Sequence, residues 1–218
     1  MVSSGGTRER IRILVFSASL RRDSLNTKLA DLAAAAIEAN GGEVDVAAMR
    51  DFDAPSYDQD VQREDGFPPG AEEFRRRLEA CQGFVVSSPE YNASMPGALK
   101  NSIDWASRFQ PQPFNERYGL LMSASPSMGG GNRGLWALRV PLEHLGARLY
   151  PDMFSLAQAH LAFTSEGRIA DEQLQQRFDT NIINFLDQVE ASTHYPCVKR
   201  AWVEYLGEHP EPALDRVE

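Results

Sequence analysis

"IRILVFSASLRRDSLNTKLA", residues 11–30, decides how the chain is read. Its first six residues form a largely apolar run, the mark of a strand buried on both faces. Leu25, Leu29, Leu32, Ala33, Ala36 and Ile37 then recur at helical spacing, until Asn40-Gly41-Gly42 stops the pattern. Between strand and helix lie Ser17, Ser19, Ser24, Asn26 and Thr27, with Arg21 and Arg22 among them. Such a junction offers free backbone N–H groups and the positive end of a helix dipole. Hydroxyls, and an arginine able to grip two oxygens at once, turn it into a cradle for an anion. A plain N-cap at Ser24 accounts for one serine but not for the whole cluster. The loop has no G-K-[ST], so it is not the phosphate loop of a nucleoside triphosphatase.

The alternation continues along the chain. Strands are expected at 43–47, 83–87, 118–123 and 148–156, the last interrupted by Pro151. Helices are expected at 71–81, 97–108 and about 135–145, where Pro141 predicts a kink or an early break. Leu174, Phe178, Ile182, Phe185 and Val189 mark a long final helix. Residues 50–69, rich in prolines and acids, read as a long surface loop. Repeated strand-helix units specify a single doubly wound α/β domain with a five-stranded parallel sheet, order 2-1-3-4-5. The domain is expected over residues 11–191, with 1–10 a flexible tail and 192–218 a C-terminal extension whose structure the pattern does not define. Ligands of such sheets bind beyond the carboxyl ends of the strands. The three loops richest in polar residues and glycine follow strands one, three and four, and so converge on one site.

With 218 residues, 42% of them hydrophobic, the chain can bury one sizeable core. A formal charge of −9 argues against nucleic acid and anionic membranes as partners. No apolar run is long enough to span a bilayer, and "MVSSGGTRER" lacks the apolar core of a signal peptide, so a cytoplasmic location is expected. Cys81 and Cys197 read as two unpaired thiols. His144, His160, His194 and His209 are scattered without ligand spacing, so no metal is expected, and there is no G-x-S-x-G elbow. Gly129, Gly131 and Gly134 spell G-x-G-x-x-G, with Asp152 downstream. That dinucleotide fingerprint belongs in the first βα turn, whereas this run follows the fourth strand. A loop that lets main chain approach a ligand, with Ser125 and Ser127 as donors, is the better reading.

The second loop is "SPEYNASMPGALKNSIDWASR", residues 88–108. Pro89 and Pro96 bracket a rigid segment that presents Glu90, Tyr91 and Asn92 at a strand's carboxyl end. Together with Ala18-Ser19-Leu20-Arg21 and Ser24-Leu25-Asn26, this stretch resembles the NAD(P)H-dependent FMN reductases. Their patterns are "G-S-x-R-x-x-S-x-N" and "P-E-Y-N-x-S-x-P-G-x-L-K-N-x-I-D-W". The order of strands and helices fits to about residue 190. Two departures are Ala18, where the family usually has glycine, and the tail beyond Ala191.

The resemblance implies a flavodoxin-like fold that binds FMN. It implies NADPH or NADH as donor, and a small-molecule acceptor such as free flavin, a quinone, an azo compound or an oxidised metal. A homodimer or homotetramer is implied too, because the family's flavin site commonly lies near a subunit contact. Ser19, Arg21, Ser24, Leu25 and Asn26 would meet the phosphate. Pro89, Glu90, Tyr91 and Asn92 would meet the ring, largely through main chain, with Tyr91 as a wall. Ser125 and Gly129 would complete the site from the third loop. No residue is assigned to catalysis, since the cofactor carries the chemistry. Glu90 reads equally well as a solvated loop acid. Lys100, Asp104 and Arg108 read as pairs along one helix face, and Trp105 as a packing or subunit-contact residue. The alternative functions are a flavodoxin-like electron carrier and a non-catalytic flavin-binding module. Arg21 speaks against the carrier, since carrier flavodoxins usually hold the phosphate with hydroxyls and amides alone.

Overall fold

The computed structural model describes residues 10–194. Residues 1–9 of the expected tail and most of the C-terminal extension, with Cys197 and His209, lie outside the described residues. The chain runs β1 (Arg12–Ser17), α1 (Leu25–Ala39), β2 (Glu43–Ala48), α2 (Gln59–Asp65), α3 (Pro69–Glu79) and β3 (Gly83–Ser87). It continues through α4 (Gly97–Ala106), β4 (Tyr118–Ala124), α5 (Asn132–His144), β5 (Arg148–Leu149), β6 (Phe154–Leu156), α6 (Ala159–Ala162) and α7 (Glu172–His194).

All strands are parallel, in the order β2-β1-β3-β4-β5, as expected. The fifth strand is split. β5 pairs the first half of β4 and β6 the second, with Met122 opposite Phe154. Pro151 stands in the gap, where it has no N–H to give a ladder.

Alternate strand residues feed two cores. Ile13, Val15, Val85, Leu120 and Met122 pack on one face with α1 and α7. Leu14, Phe16, Val86 and Leu121 pack on the other with α3, α4 and α5. This double burial is why β1, β3 and β4 read as apolar runs rather than alternating ones.

Residues 50–69 are not the surface loop that was expected. A 3-10 turn, Met49–Phe52, buries Phe52 edge-on against Phe16 at 5.4 Å, and Asp58 caps α2. Helix α4 straps the segment down. Asn101 Nδ2 donates to the carbonyls of Ala54 and Pro55, both at 3.0 Å, and its Oδ1 accepts the Tyr57 amide at 2.9 Å. Trp105 donates its indole N–H to Pro55 O at 2.8 Å and meets the Tyr57 ring edge-on at 5.1 Å. Trp105 is fully buried, so it is a packing residue and not a subunit contact. Helix α5 begins three residues earlier than expected, at Asn132, and runs past Pro141 to end at His144. The short helix α6 was not foreseen.

At the carboxyl edge of the sheet, β3 ends before β4 does. Ser88 still donates to Met122 O, but the next residue whose backbone groups point toward the β3 side, the buried Ala124, has no β3 partner. Asn26 of α1 substitutes for the missing strand. Its Nδ2 donates to Ala124 O at 3.0 Å, and its Oδ1 accepts the Ala124 amide at 2.9 Å and the Ser87 hydroxyl at 3.0 Å. Replacing Asn26 by Leu strands three buried polar groups, each costing about 1–3 kcal/mol. We expect Asn26→Leu to lower unfolding stability by about 3–5 kcal/mol, read as a fall in the urea midpoint at unchanged slope. A loss below about 1 kcal/mol would show that the clamp is redundant.

Candidate active site

The clamp brings three loops to one edge. The first, between β1 and α1, is tied to β3 by the Ala18 amide, which donates to Ser87 O at 2.9 Å. Its hydroxyls mostly shape the turn. Ser17 Oγ accepts the Ser19 amide and Ser19 Oγ accepts the Arg21 amide, both at 3.3 Å. Ser24 is the buried N-cap of α1, and its Oγ accepts the Asn26 amide at 3.2 Å. Asn26 gives its carboxamide to Ala124 and Ser87, so its side chain orients the loop and is not aimed at a ligand. What remains for an anion is specific. The amides of Leu20, Arg22 and Leu25 have no acceptor among the described residues, and the first turn of α1 carries no acid. Arg21 is exposed and donates only to the Asp23 carbonyl at 3.0 Å. Arg50, which the sequence did not single out, donates to Leu20 O at 3.1 Å and adds a third guanidinium beside Arg21 and Arg22. A chain of formal charge −9 thus concentrates cations at one helix N-terminus.

The second loop carries a tight hairpin. Tyr91 and Ser94 exchange both backbone hydrogen bonds, at 2.9 and 3.0 Å. The two residues between them, Asn92 and Ala93, have φ of +52° and +61°, as a type I′ turn requires. Ala93 sits there without the freedom of glycine, so the turn stores strain. Of the three amides expected to face a ring, that of Tyr91 is taken by Ser94, leaving those of Glu90 and Asn92. The Tyr91 side chain is exposed. Glu90 is not a solvated acid. Its Oε1 meets Arg133 Nε at 2.9 Å and Nη2 at 2.7 Å, and its Oε2 accepts the Gly134 amide at 3.2 Å.

In the third loop Ser125 and Ser127 bond each other at 3.0 Å, and the Ser127 carbonyl holds Gln158 at 3.1 Å. The glycines have separate reasons. A Cβ on Gly131, whose φ is +85°, would fall 2.0 Å from Ser123 Oγ, and one on Gly134 would fall 3.1 Å from Glu90 Cβ. Of the loop's glycines Gly129 is the least crowded, with only Ser127 Oγ near a Cβ placed there, at 3.9 Å, so its main chain is open to close approach, although its carbonyl accepts the Asn132 amide at 3.1 Å. Two other groups play no part. Cys81 lies before β3, at the end of the sheet away from the three loops, and burial pushes its thiol up to about 11. Lys100 pairs with Asp104 at 2.6 Å on α4, as its spacing suggested.

The donor set fits a flavin mononucleotide: unclaimed amides and Arg21 for a phosphate, open main chain at Glu90, Asn92 and Gly129 for a ring. Comparison with known proteins agrees. The profile of the NADPH-dependent FMN reductases matches residues 11–161. An NAD(P)H-dependent FMN reductase of Pseudomonas aeruginosa is 34% identical over 167 residues, 76% of this chain and 88% of that protein. A quinone reductase of Escherichia coli is 37% identical over 143 residues, 64% of this chain and 73% of that protein. Among solved structures, a flavoenzyme NAD(P)H:(acceptor) oxidoreductase of Paracoccus denitrificans superposes with a TM-score of 0.72 at 27% identity. It covers 83% of this chain and 97% of its own. By the extent of these matches, the chain belongs to the NADPH-dependent FMN reductase family.

Proposed function

We propose that the protein is an FMN-dependent oxidoreductase that takes electrons from NADPH or NADH and passes them to a quinone or to free flavin. The observation that carries this reading is the first loop: unclaimed amides, a capped and acid-free helix start, and an arginine with no carboxylate partner among the described residues. Arg21 and the Leu25 amide grip the phosphate, and Ser19 and Ser24 hold the turn in shape. Pro89 and Pro96 fix the second loop, so that the Glu90 and Asn92 amides would be available to hydrogen-bond the ring and Tyr91 would offer its side chain as a wall. Gly129 and Ser125 would contribute from the third loop. A bound flavin supplies both hydride acceptance and electron donation, so the chain needs no nucleophile or acid–base pair.

A flavodoxin-like carrier or a non-catalytic flavin-binding module would share the cradle but would not turn over pyridine nucleotide. Anaerobic NADPH should bleach the flavin band of the reconstituted protein, and a quinone should restore it. A flavin band unmoved by either NADPH or NADH would reject the enzyme reading in favour of those alternatives.

Among the described residues no helix is long and apolar enough to cross a membrane. With the formal charge of −9, this supports a cytoplasmic enzyme of small molecules that does not work on nucleic acid or anionic lipid. The protein is proposed to be a homodimer or homotetramer. Trp136 and Val140, one turn apart on α5, are exposed apolar side chains, as is Met128 of the third loop. Light scattering at micromolar concentration should give a mass of at least twice 24.3 kDa, and Trp136→Glu should lower it. A monomer throughout would overturn this assignment.

A further inference from the structure

An ion pair joins the second loop to the start of α5. The Glu90 side chain is only 12% exposed, whereas that of Arg133 is 76% exposed. Arg133 lies in the first turn of α5, where the helix dipole disfavours a cation. A carboxylate there is favoured, and Glu90 delivers one from another loop, accepting the Gly134 amide at 3.2 Å. Arg133 therefore answers Glu90 rather than its own helix. The backbone is cut to fit. A side chain at Gly134 would press on Glu90 Cα, Glu90 Cβ and Ser94 O, each at 3.1 Å. Beneath the same turn, the Ser123 hydroxyl is buried without a partner and gives the glycine loop no polar support. Among the described residues, the hydrogen bonds from the second loop to the start of α5 all run through the Glu90 carboxylate.

Resting on the flavin reading above, we propose that Glu90 and Arg133 form a charge-balanced latch that positions the two ring-facing loops and tunes the flavin's reduction potential. Two-electron, one-proton reduction leaves the ring system one unit more negative. A part-buried carboxylate beside it opposes that change, and a guanidinium favours it. Paired, the two nearly cancel. Each is a positioning residue that acts through the loops and the local field, not through contact with the reacting atoms.

The test uses FMN-loaded protein and the variants Glu90→Gln and Arg133→Gln. Redox titration against a reference dye, without oxygen, reads the potential. Glu90→Gln, which keeps an oxygen for the Gly134 amide, should raise it. Arg133→Gln should lower it, and the double variant should return close to wild type. Riboflavin, which reports ring contacts without a phosphate, should bind each single variant about tenfold more weakly. A latch that only braces the loops would shift both potentials in the same direction, so shifts of one sign, or none with FMN still bound, would overturn the proposal. A wild-type chain that takes up no FMN would overturn the flavin reading itself, and the latch with it.

Discussion

The carboxamide of Asn26 holds together what the rest of the site depends on. A parallel sheet whose central strands end at different heights leaves backbone groups exposed at its carboxyl edge, and burying them unpaired is costly. Asn26 completes the ladder for Ala124 and accepts the Ser87 hydroxyl, so α1 is pinned to β3 and β4 at the level where three loops depart. The N-terminus of α1 cannot drift from the ends of β3 and β4 while that contact stands. The first loop and the loops after β3 and β4, proposed to hold the phosphate and the ring, thereby acquire a fixed separation.

Around this anchor, each loop is rigid for its own reason. The first is wound by serine hydroxyls onto its own amides, the second is closed by a two-residue turn in left-handed backbone, and the third is packed down by glycines against Ser123 and Glu90. Pre-organised donors lose little entropy when a ligand arrives. Charge follows the same design. An acidic chain places Arg21, Arg22 and Arg50 at one helix start, so that the local field at the cradle opposes the global one.

Much of this was legible because it is local. Strands covered on both faces must be apolar throughout, and β1, β3 and β4 declared themselves for that reason. The helix stop at Asn40-Gly41-Gly42 is a backbone requirement, and so was equally plain. What escaped depends on partners far along the chain. Residues 50–69 look like loop because their anchors, Asn101 and Trp105, lie on α4, and Phe52 is a single apolar residue among acids. Glu90 could be read as solvated because Arg133 is 43 residues away. Asn26 had the chemistry of a phosphate ligand, and only the unequal lengths of β3 and β4 show where its amide goes. Arg50 and Arg133 left one weak signal each: a lone arginine after an edge strand, and a cation at the wrong end of a helix.

The central claim is that the first loop is built for a phosphate, and calorimetric titration of apoprotein with FMN and with riboflavin tests it most directly. The two ligands share the ring and differ in the phosphate alone. Charge-assisted contacts from Arg21 and the α1 amides should make FMN bind at least about thirtyfold more tightly, or ~2 kcal/mol. Equal affinities would contradict the account.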